Sequence, residues 1–312
     1  QSDENYTIEF NSGGNHGHQL KDALGGFTIG HLLNLNYIHT PYSYLDFFGI
    51  GYNTRTVKKW YRRFKYTKIK RISGPFWNGF DNYETMSEYF KNELRDVEER
   101  TLIVLDKALR VHPFQTIPWY KEGKIKDNIF LKIQQQVSSN FTKKNFLKFN
   151  NSRSYTDVVI HINRGVDYDI VKYPQHFSKS TNVRYMFSLD YYENIMQQIE
   201  RAISTSSVRF RIYTEEHNST EIYERFINRD NTEVIIGANR QKYNYSLIYS
   251  IFKNFVEADI LVCSNSSFSA MCAYFRKGLK TIYHPHDHLD YLPEPNYIKT
   301  KDNGDFEIQL LQ

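Results

Sequence analysis

The 312-residue sequence predicts an α/β fold built on parallel sheets and split between two domains. Two observations carry this reading. In the second half, short apolar runs rich in Val and Ile alternate with helical patterns of ~10–15 residues, the signature of successive βα units. Between the halves, the stretch from Asn140 to Ser154 is polar. It marks a boundary between a first domain over 1–150 and a second over 151–312, the last helix or tail being a candidate to return to the first. Both sizes are ordinary for a domain.

The elements follow in chain order. A short strand around Ile8–Phe10 leads into a Gly-rich loop, Gly13-Gly14-Asn15-His16-Gly17-His18, and then a helix to Asn34 with Leu20, Leu24, Phe27 and His31 near one face. Glycines let backbone approach a ligand closely, and His16 and His18 stand in that loop. Residues 55–71 interleave nine Lys and Arg with aromatic residues. Such a stretch suits an amphipathic helix with a solvated basic face, and also an anionic acceptor or nucleic acid; the first reading is adopted. Residues 84–112 read as one helix with alternating charge. Residues 113–150 are mixed, with Pro113 and Pro118 at turns.

The second half reads as strand 157–162, helix 191–203, strand 208–214, helix 220–228, strand 234–236, helix 244–257, strand 260–263, helix 265–277 and strand 281–283. In parallel sheets, ligands bind beyond the carboxyl ends of the strands. The residues just after each strand are therefore the informative ones. Ser264 to Ser267 is a hydroxyl-and-amide turn before a helix, where unpaired N–H groups and the dipole favour a phosphate. Asn163-Arg164-Gly165 leaves another buried strand. Arg164 suits a bidentate pair with a pyrophosphate; it also suits a salt bridge to Asp167 or Glu215. His161 lies on that strand at a position that suits a core histidine.

Composition limits the function. The net charge of +5 is too mild to imply nucleic acid without a focused patch. No apolar run approaches the ~20 residues of a membrane span. The two cysteines, Cys263 and Cys272, read as small buried residues of a reducing compartment. The expected localisation is cytoplasmic (bacterial, viral or host-cytosolic) rather than the Golgi lumen. Six Asn-X-Ser/Thr sequons, Asn265 among them, read as chance matches in an Asn-rich chain. Asp167-Tyr168-Asp169 and His284-Pro285-His286-Asp287-His288 offer metal-ligand residue types; the reading adopted is no metal.

Four motifs in order resemble the fucosyltransferase superfamily, most closely its α-1,2 branch. His161-Ile162-Asn163-Arg164-Gly165-Val166-Asp167 resembles its His-x-Arg-Arg-Gly-Asp block. Phe210 to Glu216 resembles its strand ending in Ser-Asp-Asp. Asn265-Ser266-Ser267-Phe268-Ser269 matches its Asn-Ser-Ser-Phe-Ser block. Gly13 to Leu20 resembles its Gly-Gly-x-Gly-Asn-Gln loop. The resemblance covers roughly 157–283 plus 12–34 and leaves 40–150 unassigned.

The resemblance implies a GT-B architecture of two Rossmann-like domains with sheets facing across a cleft, the second holding a nucleotide sugar. It implies inverting, metal-independent transfer to a glycan acceptor hydroxyl, of L-fucose from GDP-fucose in most members, with no cofactor. The donor-binding residues it implies are Gly14, His16, His161, Asn163, Arg164, Glu215, Asn265, Ser266, Ser267, Phe268 and Ser269. Arg164 is the catalytic cation and His18 the candidate general base. Two departures are visible: Asn163 replaces the first Arg of the block, and His18 replaces the Asn of the N-terminal loop. They leave open another nucleotide sugar, or a sugar-nucleotide or glycan binder without catalysis.

Overall fold

A computed structural model of the chain describes residues 6–11, 16–39, 48–49, 55–56, 66, 68–73, 80, 82–98, 101–106, 111–145, 154–163, 188–203, 207–214, 223–236, 245–285 and 296–311. The chain divides into two compact units, Gln1–Leu147 and Lys148–Gln312.

Unit 1 contains β1 (Tyr6–Asn11), α1 (His16–Leu32), β2 (Asn36–His39), β3 (Arg55–Thr56), β4 (Lys68–Ile72), α2 (Tyr83–Leu94), β5 (Thr101–Asp106), α3 (Thr116–Lys121) and α4 (Ile129–Asn145). Its five strands run in the order β3-β2-β1-β5-β4, and every described pairing is parallel. The strand order reverses between β1 and β5, whose last residues, Asn11 and Asp106, pair in register. The Asn82 side chain caps α2 by accepting from the Thr85 N–H at 2.9 Å, and α2 seats Met86 and Phe90 inward.

Three expectations are corrected here. The helix expected over 84–112 ends at Leu94, and Thr101–Asp106 is a strand beside β1. A continuous apolar run of strand length, Leu102 to Leu105, is satisfied in a sheet covered on both faces. Within the basic stretch, 55–56 and 68–72 are strands; residues 57–65 and 67 lie outside the described residues. Helix α1 starts at His16, so His16 and His18 open a helix rather than sit in a loop.

Unit 2 contains β6 (Tyr155–Ile162), α5 (Leu189–Ala202), β7 (Ser207–Thr214), α6 (Glu224–Ile227), β8 (Thr232–Ile236), α7 (Tyr245–Glu257), β9 (Ile260–Val262), α8 (Ser267–Phe275), β10 (Lys280–Tyr283) and β11 (Tyr297–Lys299). The six strands run β11-β10-β9-β6-β7-β8, all parallel. The order reverses between β6 and β9. The strand alternation of β6 splits its side chains between two layers. Val158, Ile160 and Ile162 join Tyr191, Ile195 and Ile199 of α5 in one core. His161, on the opposite face, meets Phe255 of α7 edge to face, and Tyr213 of β7 meets the same ring.

Helix α5 is legible as an amphipathic helix with an N-cap: the Ser188 hydroxyl accepts from the Tyr191 N–H, and Tyr191, Tyr192, Ile195, Met196 and Ile199 form its buried stripe. The chain's last described segment fastens to it. Asn194 and Gln198 donate to the Asn303 and Gly304 carbonyls, and Ile308–Leu311 packs on the same helix. Gly304 sits at φ +88°, where a Cβ would stand 2.6 Å from the Tyr191 carbonyl oxygen, so only glycine fits this turn.

Candidate nucleotide-sugar site

The site is built at the reversal of strand order in unit 2, where the carboxyl ends of β6 and β9 part. Strand β9 is a fully buried Ile-Leu-Val run. Cys263 extends it by one bond, donating its N–H to the Ile282 carbonyl at 2.9 Å. The chain then turns tightly: the Ser266 N–H bonds the Ser264 carbonyl at 2.8 Å. Ser266 is the N-cap of α8; its hydroxyl accepts from the Phe268 N–H at 3.2 Å, and its carbonyl takes the Ala270 N–H. The remaining N–H groups of that first turn point out of the helix start.

The motif residues divide by role. Ser269 is fully buried, and its hydroxyl faces the Ser264 and Ser266 carbonyls at 3.2 and 3.3 Å, which makes it an internal brace of the loop. Asn265, Ser266, Ser267 and Phe268 are half-buried. The Asn265 Nδ2 is a buried atom that meets no hydrogen-bond partner. Such a donor costs about 1–3 kcal/mol if nothing satisfies it. Its burial also withholds from glycosylation the atom a glycan would join, and Asn140, in α4, is buried as well. Neither sequon fits modification of the folded chain.

His161 reaches the loop from β6. Its Nδ1 lies 2.8 Å from the Ser264 Oγ, and both residues are buried. The ring is walled by Phe255 and Phe268 at centroid distances of 5.3 and 6.2 Å. Burial pulls its pKa down to about 3, so the imidazole is neutral at pH 7. The unfolded chain, with an ordinary His, binds a proton in the window from about pH 6.5 down to about pH 3 that the native state refuses. The stabilisation is therefore complete above pH 6.5 and is lost as pH falls through that window. The expected result is a fall in the melting temperature of unit 2 on acidification from pH 7 to 4.5, shallower in His161→Asn than in the wild type. Parallel melting curves across that range check it; equal slopes would remove His161 from the account.

Both cysteines are free and buried; the Cys263 thiol, pushed up to about 12 by burial, bonds the Ser269 carbonyl at 3.6 Å. They are packing residues, as the sequence indicates. Asn163 follows β6 as a half-buried residue. Gly14, Arg164 and Glu215 lie outside the described residues, as do Asp167, Asp169, His286 and His288; His16 and His18 are placed as the first and third residues of α1. Among the described residues no group of three or more His, Cys, Asp or Glu is placed to hold a metal ion, and no helix is long and apolar enough to cross a membrane.

The structure adds residues that sequence reasoning missed. Asp157, buried in β6, accepts from the Arg211 Nε and Nη2 at 2.9 and 2.5 Å, and Arg211 faces Tyr213, which accepts from Asn254 of α7 at 2.9 Å. This network ties β6, β7 and α7 beneath the site. The period-2 alternation of Arg209, Arg211 and Tyr213 is the signal that places them on one face. In unit 1, Lys21 is buried in the second turn of α1.

No protein-family model and no curated protein matches the sequence. Solved structures match the fold. A mutant of Arabidopsis thaliana FUT1 in complex with GDP is 9% identical over 94% of this chain and 72% of that chain, with a TM-score of 0.51. POFUT1 in complex with GDP-fucose is 13% identical over 90% and 99%, at 0.46; the fucosyltransferase NodZ from Bradyrhizobium is 9% identical over 96% and 95%, at 0.43. At these identities the likeness is one of fold, and the first carries it. The two parallel, doubly wound units in succession are the GT-B plan.

Proposed function

We propose that the chain is a glycosyltransferase that transfers a sugar from a nucleotide donor, GDP-fucose first among the candidates, to a glycan hydroxyl, with inversion and without a metal. The observation that carries this reading is the loop from Ser264 to Ser269. It lies at the strand-order reversal, opens a nine-residue helix, and holds the partnerless Asn265 amide. These groups suit a diphosphate. Departure of a sugar from a diphosphate builds negative charge on the leaving group. Donors fixed in advance stabilise that charge without reorganising. Arg164, one residue past Asn163 at the end of β6, is assigned the balancing cation, and His18 the base that takes the acceptor proton. Asn163 in the usual Arg position favours a second reading, a sugar-nucleotide binder without turnover. Hydrolysis or transfer of a bound donor separates the two.

A ligand that binds only the native state raises the melting temperature. A panel of GDP- and UDP-sugars, run with and without EDTA, should show a GDP-sugar shift that the chelator leaves unchanged. A shift restored only by Mn²⁺ would reverse the metal-free reading, and no shift with any nucleotide would remove the donor site. Ser267→Asp places a carboxylate against the expected diphosphate. It should abolish the shift while the unliganded melting curve stays near that of the wild type; a retained shift would clear the loop of any part in binding.

A further inference from the structure

We propose that His161 is a positioning residue: from the end of β6 its imidazole holds the Ser264 hydroxyl across the strand-order reversal and so sets the shape of the loop that receives the donor diphosphate. This deepens the functional reading above and rests on it. Ser264 is the hub of the loop. Its carbonyl takes the Ser266 N–H at 2.8 Å and faces the Ser269 hydroxyl at 3.2 Å, while its own hydroxyl is turned to β6. A shift of Ser264 therefore moves both Ser266, the N-cap, and Ser269, the brace. His161 is fixed from three sides: by the strand, by Phe255 of α7, and by Phe268 in the first turn of α8.

The geometry also assigns the protons. The Ser269 hydroxyl faces two carbonyl oxygens, which can only accept, so its hydrogen is committed to one of them. The Ser264 hydroxyl then chooses between the His161 Nδ1 at 2.8 Å and the Ser269 Oγ at 3.5 Å. Were Nδ1 the donor, the Ser264 hydrogen would be left with the 3.5 Å contact, at the outer limit of a hydrogen bond, so the opposite pattern is the one we infer. Ser264 donates, Nδ1 accepts, and the neutral ring carries its hydrogen on Nε2. The hydroxyl of Ser264 is thus a strut and not a ligand contact.

Three variants test the strut. His161→Phe keeps an aromatic ring and loses the acceptor. His161→Asn places an amide near the Nδ1 position and can keep the bond. Ser264→Ala removes the other partner with a smaller change in volume. GDP affinity is titrated for each, per folded molecule, and imidazole ¹⁵N shifts are recorded for the wild type. The expected results are a loss of at least about tenfold in GDP affinity for His161→Phe and for Ser264→Ala, a double variant no weaker than the worse single, and near-wild-type affinity for His161→Asn. The expected spectrum is that of the Nε2-protonated neutral tautomer. Unchanged affinity in Ser264→Ala, fully additive losses, or an Nδ1-protonated ring would each overturn the proposal; should His161→Phe fail to fold, Ser264→Ala carries the affinity test. If the wild type binds no nucleotide, the functional reading falls and the proposal with it, whereas normal wild-type binding with indifferent variants defeats the strut alone.

Discussion

Replacing Arg276 by Met should unfold unit 2 at a melting temperature lower by about six degrees or more, with the transition of unit 1 left in place. Arg276 is buried, and burial draws its pKa down to about 10, which leaves it charged at neutral pH. It is the C-cap of α8, yet its side chain serves other elements. Nη1 donates to the Phe255 and Val256 carbonyls at 2.6 and 3.1 Å, Nη2 to the Asp259 and Lys280 carbonyls at 3.2 and 2.9 Å, and Nε to the Thr281 hydroxyl at 3.3 Å. The Phe255 and Val256 carbonyls belong to the last turn of α7, where no intrahelical donor remains. The guanidinium thus closes the end of α7 and joins it to the starts of β9 and β10.

Methionine fills similar volume and satisfies none of these acceptors. Each buried acceptor left bare costs about 1–3 kcal/mol, so a total of at least about 3 kcal/mol is expected, allowing for relaxation. For a unit of this size each kcal/mol moves the midpoint by roughly 2–4 °C. Arg276→Lys should fall between, because one ammonium cannot reproduce a planar fork with five donors. Calorimetry of both variants checks this, with the two units treated as separate transitions. A Met variant within two degrees of the wild type would mean the loop of carbonyls finds other partners.

Arg276 also shows what the sequence hid. Read locally, it is a basic residue closing a helix before Gly278, a favourable charge for the dipole of its own helix. Its acceptors are scattered from 255 to 281, and nothing in the order of residues groups them. The same holds for His161 and Ser264, 103 positions apart. What was legible is what is local: the apolar run of β9, the hydroxyl turn, the helix formers of α8, and the alternation of strands and helices across unit 2. Reading failed where one pattern suits two structures. Leu102 to Leu105 continued the inward spacing of α2 closely enough to pass for helix, and only its place beside β1 makes it a strand. Gly17 suggested a loop around His16 and His18, but a helix begins there regardless.

Arg164→Ala should lower turnover by about 10²–10³-fold per folded molecule. The expectation follows from the functional reading and from the position of the residue in the chain. β6 is buried along its last six residues, pairs with β9 through Ile160 and ends at Ile162; Arg164 follows two residues later in the sequence, and in such folds ligands bind beyond the carboxyl ends of the strands. Asn163 occupies the place where the fucosyltransferase block has its first Arg, and an amide offers no charge. On the proposed function, Arg164 is the cation left in the block to balance the leaving diphosphate. Losing one donor of this kind from a preorganised site typically costs about 2.7–4 kcal/mol of transition-state stabilisation. Arg164→Lys should recover part of the rate, since an ammonium supplies the charge but not the bidentate geometry. A salt-bridge role predicts another pattern. If Arg164 serves the fold through Asp167 or Glu215, the Ala variant melts earlier and its surviving folded fraction turns over as fast as the wild type. Turnover normalised to folded protein, measured beside the melting curve, separates the two. A destabilised but fully active variant would transfer the charge-balancing role away from Arg164 and leave the N-terminus of α8 and the Asn265 amide as the groups that meet the diphosphate.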